Sequence, residues 1–148
     1  MLESANNKPL ADILVIDDTP ENLALLSQIL KDKGYKVRSV TKASTGLRGA
    51  KAAPPDLILL DIKMPEMSGY EVCQHLKADE STRDIPVIFI SALGDVLDKV
   101  KAFEVGGVDY ITKPLQVEEV LARIQTHLTI RRLQQQLQTQ NTQLQQEI

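Results

Sequence analysis

At 148 residues, 43% of them hydrophobic, the chain suits one domain with its own core and perhaps room for a short appendage. A formal charge of -3 and an aromatic content of 3%, with no Trp, supply neither a basic stripe nor a base-stacking surface, which argues against nucleic acid as a partner. No segment approaches the roughly 20 apolar residues of a membrane span, residues 1–11 lack the apolar centre of a signal peptide, and the single Cys73 cannot form an internal disulfide, so a reducing, cytoplasmic setting without membrane contact is expected.

Short apolar runs alternate five times with segments of helical period. The first run, Ile13-Leu14-Val15-Ile16, ends in Asp17-Asp18. Thr19 then reads as an N-cap, Pro20 as the first helical residue, Leu23, Leu26 and Leu30 as one face, and Gly34 as the stop. Tyr35–Val40 is a weaker strand suited to a sheet edge, and a small Ala-rich helix follows from about Ala43 to Ala52, closed by Pro54-Pro55. Leu57-Ile58-Leu59-Leu60 runs straight into Asp61 and a loop over residues 62–69, before a helix carrying Val72, Cys73 and Leu76. Cys73 reads there as a small buried hydrophobe. Val87–Ile90 ends at Ser91, and the helix after it carries Val96, Val100 and Phe103 and stops at Gly106-Gly107. Val108–Ile111 leads through Thr112 to Lys113-Pro114, a bond open to the cis form because it precedes proline. His75 and His127 fall on helices, far in sequence from the acidic residues, and read as surface residues.

Three of the runs are apolar on both faces, as parallel strands covered by helices on either side must be. The alternation predicts an α/β fold, a doubly wound five-stranded parallel sheet with right-handed crossovers. Ligands of such sheets bind beyond the carboxyl ends of the strands, near the switch in strand order. Asp17, Asp18, Asp61, Ser91 and Lys113 all belong to those ends.

Taken singly, each has a plain explanation: a strand-end Asp is usually a turn former, Lys113 a solvated charge, Ser91 a helix cap. Taken together they describe a site. Clustered carboxylates raise one another's pKa or recruit a cation, and hard oxygen ligands favour Mg²⁺ or Mn²⁺. With Lys113 beside the ion, an anion rich in oxygen, naturally a phosphoryl group, is held between them. Asp61 can then attack phosphorus in line, and the Ser91 hydroxyl can donate to a phosphoryl oxygen.

From Leu115 to Ile148 there is neither Gly nor Pro, so one helix of about 34 residues, on the order of 50 Å, is predicted to run out of the domain. Its apolar residues Ile130, Leu133, Leu137, Leu144 and Ile148, with Asn141, step by 3, 4, 4, 3 and 4, a coiled-coil seam with one four-residue stutter. From Leu133 onward only Glu147 is charged. So little apolar surface leaves a lone helix marginal in water, which predicts a partner helix; the alternative is a disordered Gln-rich tail. The expected organisation is a globular domain over 12–128 and a Gln-rich helical extension over 129–148, a connector or dimerisation helix that stops in mid-pattern, as though an output domain lay beyond.

At Asp17-Asp18-Thr19-Pro20, Leu59-Leu60-Asp61-Ile62-Lys63-Met64-Pro65, Ile90-Ser91-Ala92 and Tyr110-Ile111-Thr112-Lys113-Pro114, the chain resembles the receiver domain of two-component response regulators, over roughly Asp12 to Leu128. The resemblance implies a flavodoxin-like, CheY-like fold and a phosphorelay switch rather than a turnover enzyme. It implies Asp61 as phosphoacceptor, Mg²⁺ held by Asp17, Asp18, Asp61 and the backbone carbonyl of Lys63, Ser91 and Tyr110 as switch residues, and Lys113 as phosphate partner. A sensor histidine kinase or phosphotransfer protein is the implied donor, and a surface of helix four, strand five and helix five the implied output. Ser68 stands where members often carry an acid. Lys63 and Leu93 occupy positions that tune hydrolysis in the family, and imply a long-lived acyl phosphate. Two other readings compete: a receiver-like dimerisation module that is never phosphorylated, and a haloacid-dehalogenase-like phosphatase, whose nucleophile and acid lie two apart after the first strand whereas Asp17 and Asp18 are adjacent.

Overall fold

The structure is a computed structural model and describes residues 8–92 and 98–147. Its order is β1 (Asp12–Ile16), α1 (Pro20–Asp32), β2 (Lys36–Val40), α2 (Ala43–Ala52), β3 (Leu57–Asp61), α3 (Gly69–Ala78), β4 (Val87–Ser91), α4 (Lys99–Glu104), β5 (Asp109–Thr112) and α5 (Val117–Glu147). The five strands form one parallel sheet in the order β2-β1-β3-β4-β5. The chain moves outward from β1 to β2 and then crosses to β3 on the other side of β1, so the switch point lies between β1 and β3. All predicted elements are present, and the weak strand β2 is an edge.

Successive side chains of a strand point to opposite faces, and this alone divides the core in two. Leu14, Ile16, Ile58, Leu60, Val87 and Phe89 pack with Ala43 and Ala50 of α2, Val72, Cys73 and Leu76 of α3, and Ala102 of α4. Ile13, Val15, Leu57, Leu59, Ile88, Ile90 and Ile111 pack with Leu23, Leu26 and Leu30 of α1 and with Val120 and Ile124 of α5. Every residue of β3 and β4 is buried, so the sheet centre reads as continuous apolar sequence up to its last residues, Asp61 and Ser91.

Several boundaries differ from the sequence reading. Tyr35 and Val108 precede their strands, and Tyr35 is buried in the turn after α1, where its amide donates to Leu30. Thr19 occupies the N-cap of α1 but its side chain makes no cap hydrogen bond. Helix α5 begins at Val117 rather than just after Pro114, and continues unbroken to Glu147, about 46 Å in all. The Lys113–Pro114 bond is cis. Val96 and Leu93 lie outside the described residues.

Gly34 ends α1 with φ of 98°, in the left-handed region where a Cβ is disfavoured, while the space around it is ordinary. Gly49 lies inside α2 with nothing within 4 Å of an added Cβ. The two positions should therefore respond oppositely to one change. In urea denaturation, Gly34→Ala should lower stability by about 1 kcal/mol, and Gly49→Ala should raise it by up to about 1 kcal/mol.

Candidate functional site: an acidic cleft at the strand ends

Asp17 directly follows β1, Asp61 ends β3, Ser91 ends β4 and Lys113 directly follows β5. Because β1, β3, β4 and β5 are contiguous in the sheet, four consecutive strand ends deliver these side chains to one edge. Local backbone bonds fix their placement. The Asp17 amide donates to the Val40 carbonyl at 3.2 Å, and the Lys113 amide donates to the Ser91 carbonyl at 2.8 Å. The Asp17 Oδ1 accepts the Thr19 amide at 2.9 Å, an Asx-type turn that aims the carboxylate back across the strand ends.

Carboxylate oxygens of Asp17, Asp18 and Asp61 lie within 4.8 Å of one another. Asp17 is fully buried and Asp61 nearly so, at 4% exposure, while Asp18 is half-buried. The Lys113 Nζ stands 3.6 Å from the Asp17 Oδ2, close enough for charge attraction and too far for a hydrogen bond. That Oδ2 has no hydrogen-bond partner, although it is shielded from solvent. The Lys113 ammonium thus faces a cluster of three carboxylates. Burial chiefly, then the charge of Asp17 and a hydrogen bond shared with Asp18, push the Asp61 carboxyl up to about 7, against the opposing pull of Lys113.

A cleft of about 440 Å³ is lined by Asp18, Asp61, Lys63, Met64, Ala92 and Lys113, among others. A neighbouring one of about 470 Å³ holds Asp61, Lys63, Ser91, Tyr70 and Lys101. Asp61 and Lys63 line both, so the carboxylate opens on one side toward Lys113 and on the other toward Ser91. Ser91 is buried, and among the described residues its hydroxyl reaches only the Ala92 carbonyl, at 3.5 Å. Donor and acceptor types suit a hard divalent ion: clustered carboxylates, an orphaned buried oxygen, and no thiolate or imidazole in the cluster.

Tyr110 is not brought into either cleft. It is half-buried on β5, with the Lys99 ammonium 5.2 Å from its ring centroid. His127 is not the plain surface residue its helical position suggests: its Nε2 lies 3.0 Å from Asp109 Oδ2 and its side chain is 14% exposed. The Arg123 Nη1 donates to both oxygens of the same Asp109, at 2.8 and 3.0 Å. His75 is exposed, as expected. Ser68 is the N-cap of α3, in a reciprocal capping box with Glu71. Sequence reading also passed over Gly69. An added Cβ there would collide with the Asp61 carbonyl oxygen, and the Gly69 amide donates to Ile62 at 2.7 Å, so the loop after the carboxylate closes only around glycine.

A parallel sheet of order 2-1-3-4-5 with an acidic cleft at its carboxyl edge defines a flavodoxin-like α/β domain. A family model described as response regulator receiver domain matches residues 13–125, and the chain belongs to that family. It is 45% identical over 116 residues to the DNA-binding dual master transcriptional regulator RpaA of a Synechocystis species, covering 78% of this chain and 48% of that protein. It is 40% identical over 136 residues to a probable cyclic di-GMP phosphodiesterase of Vibrio cholerae, covering 92% and 31%. The chain therefore spans about half the length of the first relative and under a third of the second. Among solved structures, a putative response regulator from Chloroflexus aurantiacus matches with a TM-score of 0.78 at 29% identity, over 82% of this chain and 99% of that one. The Vibrio cholerae chemotaxis protein CheY4 matches with 0.74 at 26%, over 78% and 97%. The chain is a phosphorelay receiver, a signalling module, and receivers take Mg²⁺ at an acidic pocket of this kind. No helix among the described residues is long and apolar enough to cross a membrane.

The raised Asp61 carboxyl makes stability depend on pH. The folded state holds the proton more tightly than the unfolded one, so this contribution is complete below about pH 4 and is lost as pH rises through about 7. In chelator, urea midpoints should fall between pH 5 and 8. Asp61→Asn should flatten that fall and be more stable than the unaltered chain at pH 8, by on the order of 2–4 kcal/mol. Adding Mg²⁺ should stabilise the unaltered chain more at pH 8 than at pH 5, with little effect on Asp61→Asn.

Proposed function

We propose that Asp61 is the phosphoacceptor, charged by the phosphohistidine of a sensor histidine kinase or phosphotransfer protein, or by a small acyl phosphate. One Asp61 oxygen attacks phosphorus in line. The new O–P bond forms as the donor's N–P or O–P bond breaks, and the leaving imidazole or carboxylate keeps the electron pair. Asp17, Asp18 and Asp61, with the backbone carbonyl of Lys63, would hold Mg²⁺, with Mn²⁺ as the alternative. When bound, that ion neutralises charge on the equatorial phosphoryl oxygens. Lys113, already attracted to Asp17, exchanges part of that attraction for a phosphoryl oxygen. Ser91, whose hydroxyl has only a long local partner, donates to another. Drawing Ser91 toward Asp61 shifts the end of β4 and gives the Tyr110 ring room to turn away from Lys99.

The observation that carries this reading is Asp17 Oδ2, a buried carboxylate oxygen with no hydrogen-bond partner, set among Asp18, Asp61 and Lys113. A solvated cap or turn former needs no such burial. The same acids serve reversal, so self-phosphorylation and dephosphorylation at Asp61 are the chemistry of this chain. Incubation with acetyl phosphate and Mg²⁺ should add one phosphoryl group by intact mass, and none on Asp61→Asn; equal labelling of both would sink the assignment.

The receiver unit is assigned to 12–128 and the extension to 129–148, which carries the state of the switch out along α5. Ile130, Leu133, Leu137 and Leu144 are 43–59% exposed along α5, the seam read from the sequence apart from Ile148, which lies outside the described residues. A second copy, in parallel, is the assigned occupant, because Gln-rich flanks neither repel a like chain nor select a charged one, and Asn141 can pair with itself across the seam. Light scattering should give a dimer that becomes monomeric in Leu133→Gln/Leu137→Gln.

A further inference from the structure

Helix α2 starts without a cap of its own. Its N-cap residue is Lys42, whose side chain makes no cap hydrogen bond, and its first turn contains no acid. An uncapped N-terminus leaves amides unsatisfied and a positive dipole end uncompensated. The missing carboxylate arrives from the loop that follows Asp61. The Ser44 amide donates to Glu66 Oε1 at 3.2 Å, and the Ser44 hydroxyl lies 3.3 Å from Oε1 and 3.0 Å from Oε2. These bonds, the backbone one foremost, hold the Glu66 carboxyl below the usual range although the residue is exposed.

Glu66 lies at the tip of the segment between β3 and α3, three residues after Lys63 and five after Asp61. The base of that segment is closed by the Gly69–Ile62 bond and by the Ser68 capping box. Its tip is tied to α2 through Glu66. Met64 and Pro65 form a shared wall. On one side they line the acidic cleft with Asp18, Asp61, Lys63 and Lys113, and on the other a smaller cleft of about 290 Å³ with Lys42, Ala43 and Glu66. Whatever moves Glu66 moves this wall.

We propose that Glu66 is a positioning residue: by capping α2 from the acceptor loop, it fixes the Lys63–Pro65 backbone against the acidic cleft and so sets the affinity of that cleft for its divalent cation. The assignment rests on the cation role of Asp17, Asp18 and Asp61 proposed above. It makes α2, which contributes no side chain to the carboxylate cluster, part of the scaffold of the site.

The test measures Mg²⁺ affinity of the full chain by titration calorimetry, together with amide hydrogen exchange over residues 62–66. Glu66→Ala should weaken Mg²⁺ binding roughly three- to tenfold, at or below the lower edge of what outer-shell partners contribute, and should speed exchange in that segment. Glu66→Gln, which keeps the acceptor without the charge, should stay within about twofold of the unaltered chain. The deciding variant is Lys42→Ser/Glu66→Ala. It gives α2 a cap of its own and removes one charge of each sign, so helix stability and local charge are restored while the tie to the loop is not. Its urea stability should recover while its Mg²⁺ affinity and exchange remain those of Glu66→Ala. Recovery of Mg²⁺ affinity in that double variant, equal losses in Glu66→Gln and Glu66→Ala, or unchanged exchange over 62–66 in Glu66→Ala would each overturn the proposal. If the unaltered chain itself binds no Mg²⁺, the cation assignment fails instead, and exchange alone decides whether Glu66 holds the loop.

Discussion

Asp17 and Asp61 are carried to the dry end of a sheet whose central strands are completely buried, and the Lys113 ammonium relieves only part of their mutual repulsion. Burial disfavours charge on either, and proximity disfavours charge on both. A fold that holds such a pair must be stiff elsewhere, or the carboxylates would drift apart into water. The stiffness is visible in the two-sided core. Residues 13–16, 57–60 and 87–90 are packed on both faces, so the backbone at Asp17 and Asp61 is fixed by apolar contacts that do not depend on the state of the site. The electrostatic cost is thereby retained as a preference for whatever positive charge arrives.

That arrangement explains which parts of the molecule were legible in the sequence. An apolar run of four that ends abruptly in Asp carries both halves of the message, burial and the point where burial stops. Asp17, Asp18, Asp61 and Ser91 could be placed in this way, because each stands at the end of such a run; Lys113, after the mixed segment Val108-Asp109-Tyr110-Ile111-Thr112, was placed by the fifth βα alternation and by Pro114, and strand ends in a parallel sheet share one edge. The edge position of β2 was readable because Val37-Arg38-Ser39-Val40 lacks a second apolar face. What pattern reading missed are ties between residues distant in sequence and unremarkable in composition. Glu66 and Ser44 are 22 residues apart, and Asp109 and His127 are 18 apart; neither pair interrupts a periodicity. His127 looked like a surface residue because it falls on a helix, far in sequence from the acidic residues. In three dimensions its helical turn faces the start of β5.

The rotation of the apolar stripe along α5 separates its two halves by burial. Val120 and Ile124 face the sheet, whereas Ile130, Leu133, Leu137 and Leu144 are exposed. At 100° per residue, the centre of the second stripe lies about 130° around the helix from the centre of the first. The second stripe therefore turns away from the receiver's own core, and these four side chains are exposed. A stripe in phase with Val120 and Ile124 would instead have continued along the domain surface.

Between these halves stands Asp109, which receives both Arg123 and His127 from α5 and also accepts the Tyr110 amide at 2.8 Å. Strand β5 is four residues long, so this carboxylate anchors one end of it while Lys113 stands just past the other. Lys113 and Asp109 thus stand at opposite ends of one short strand, and the Asp109 end is tied by hydrogen bonds to α5. Arg123 and His127 sit seven and three residues before Ile130, within two turns of the first seam residue. The acidic cleft and the exposed part of α5 are therefore joined in the structure by one strand and one carboxylate.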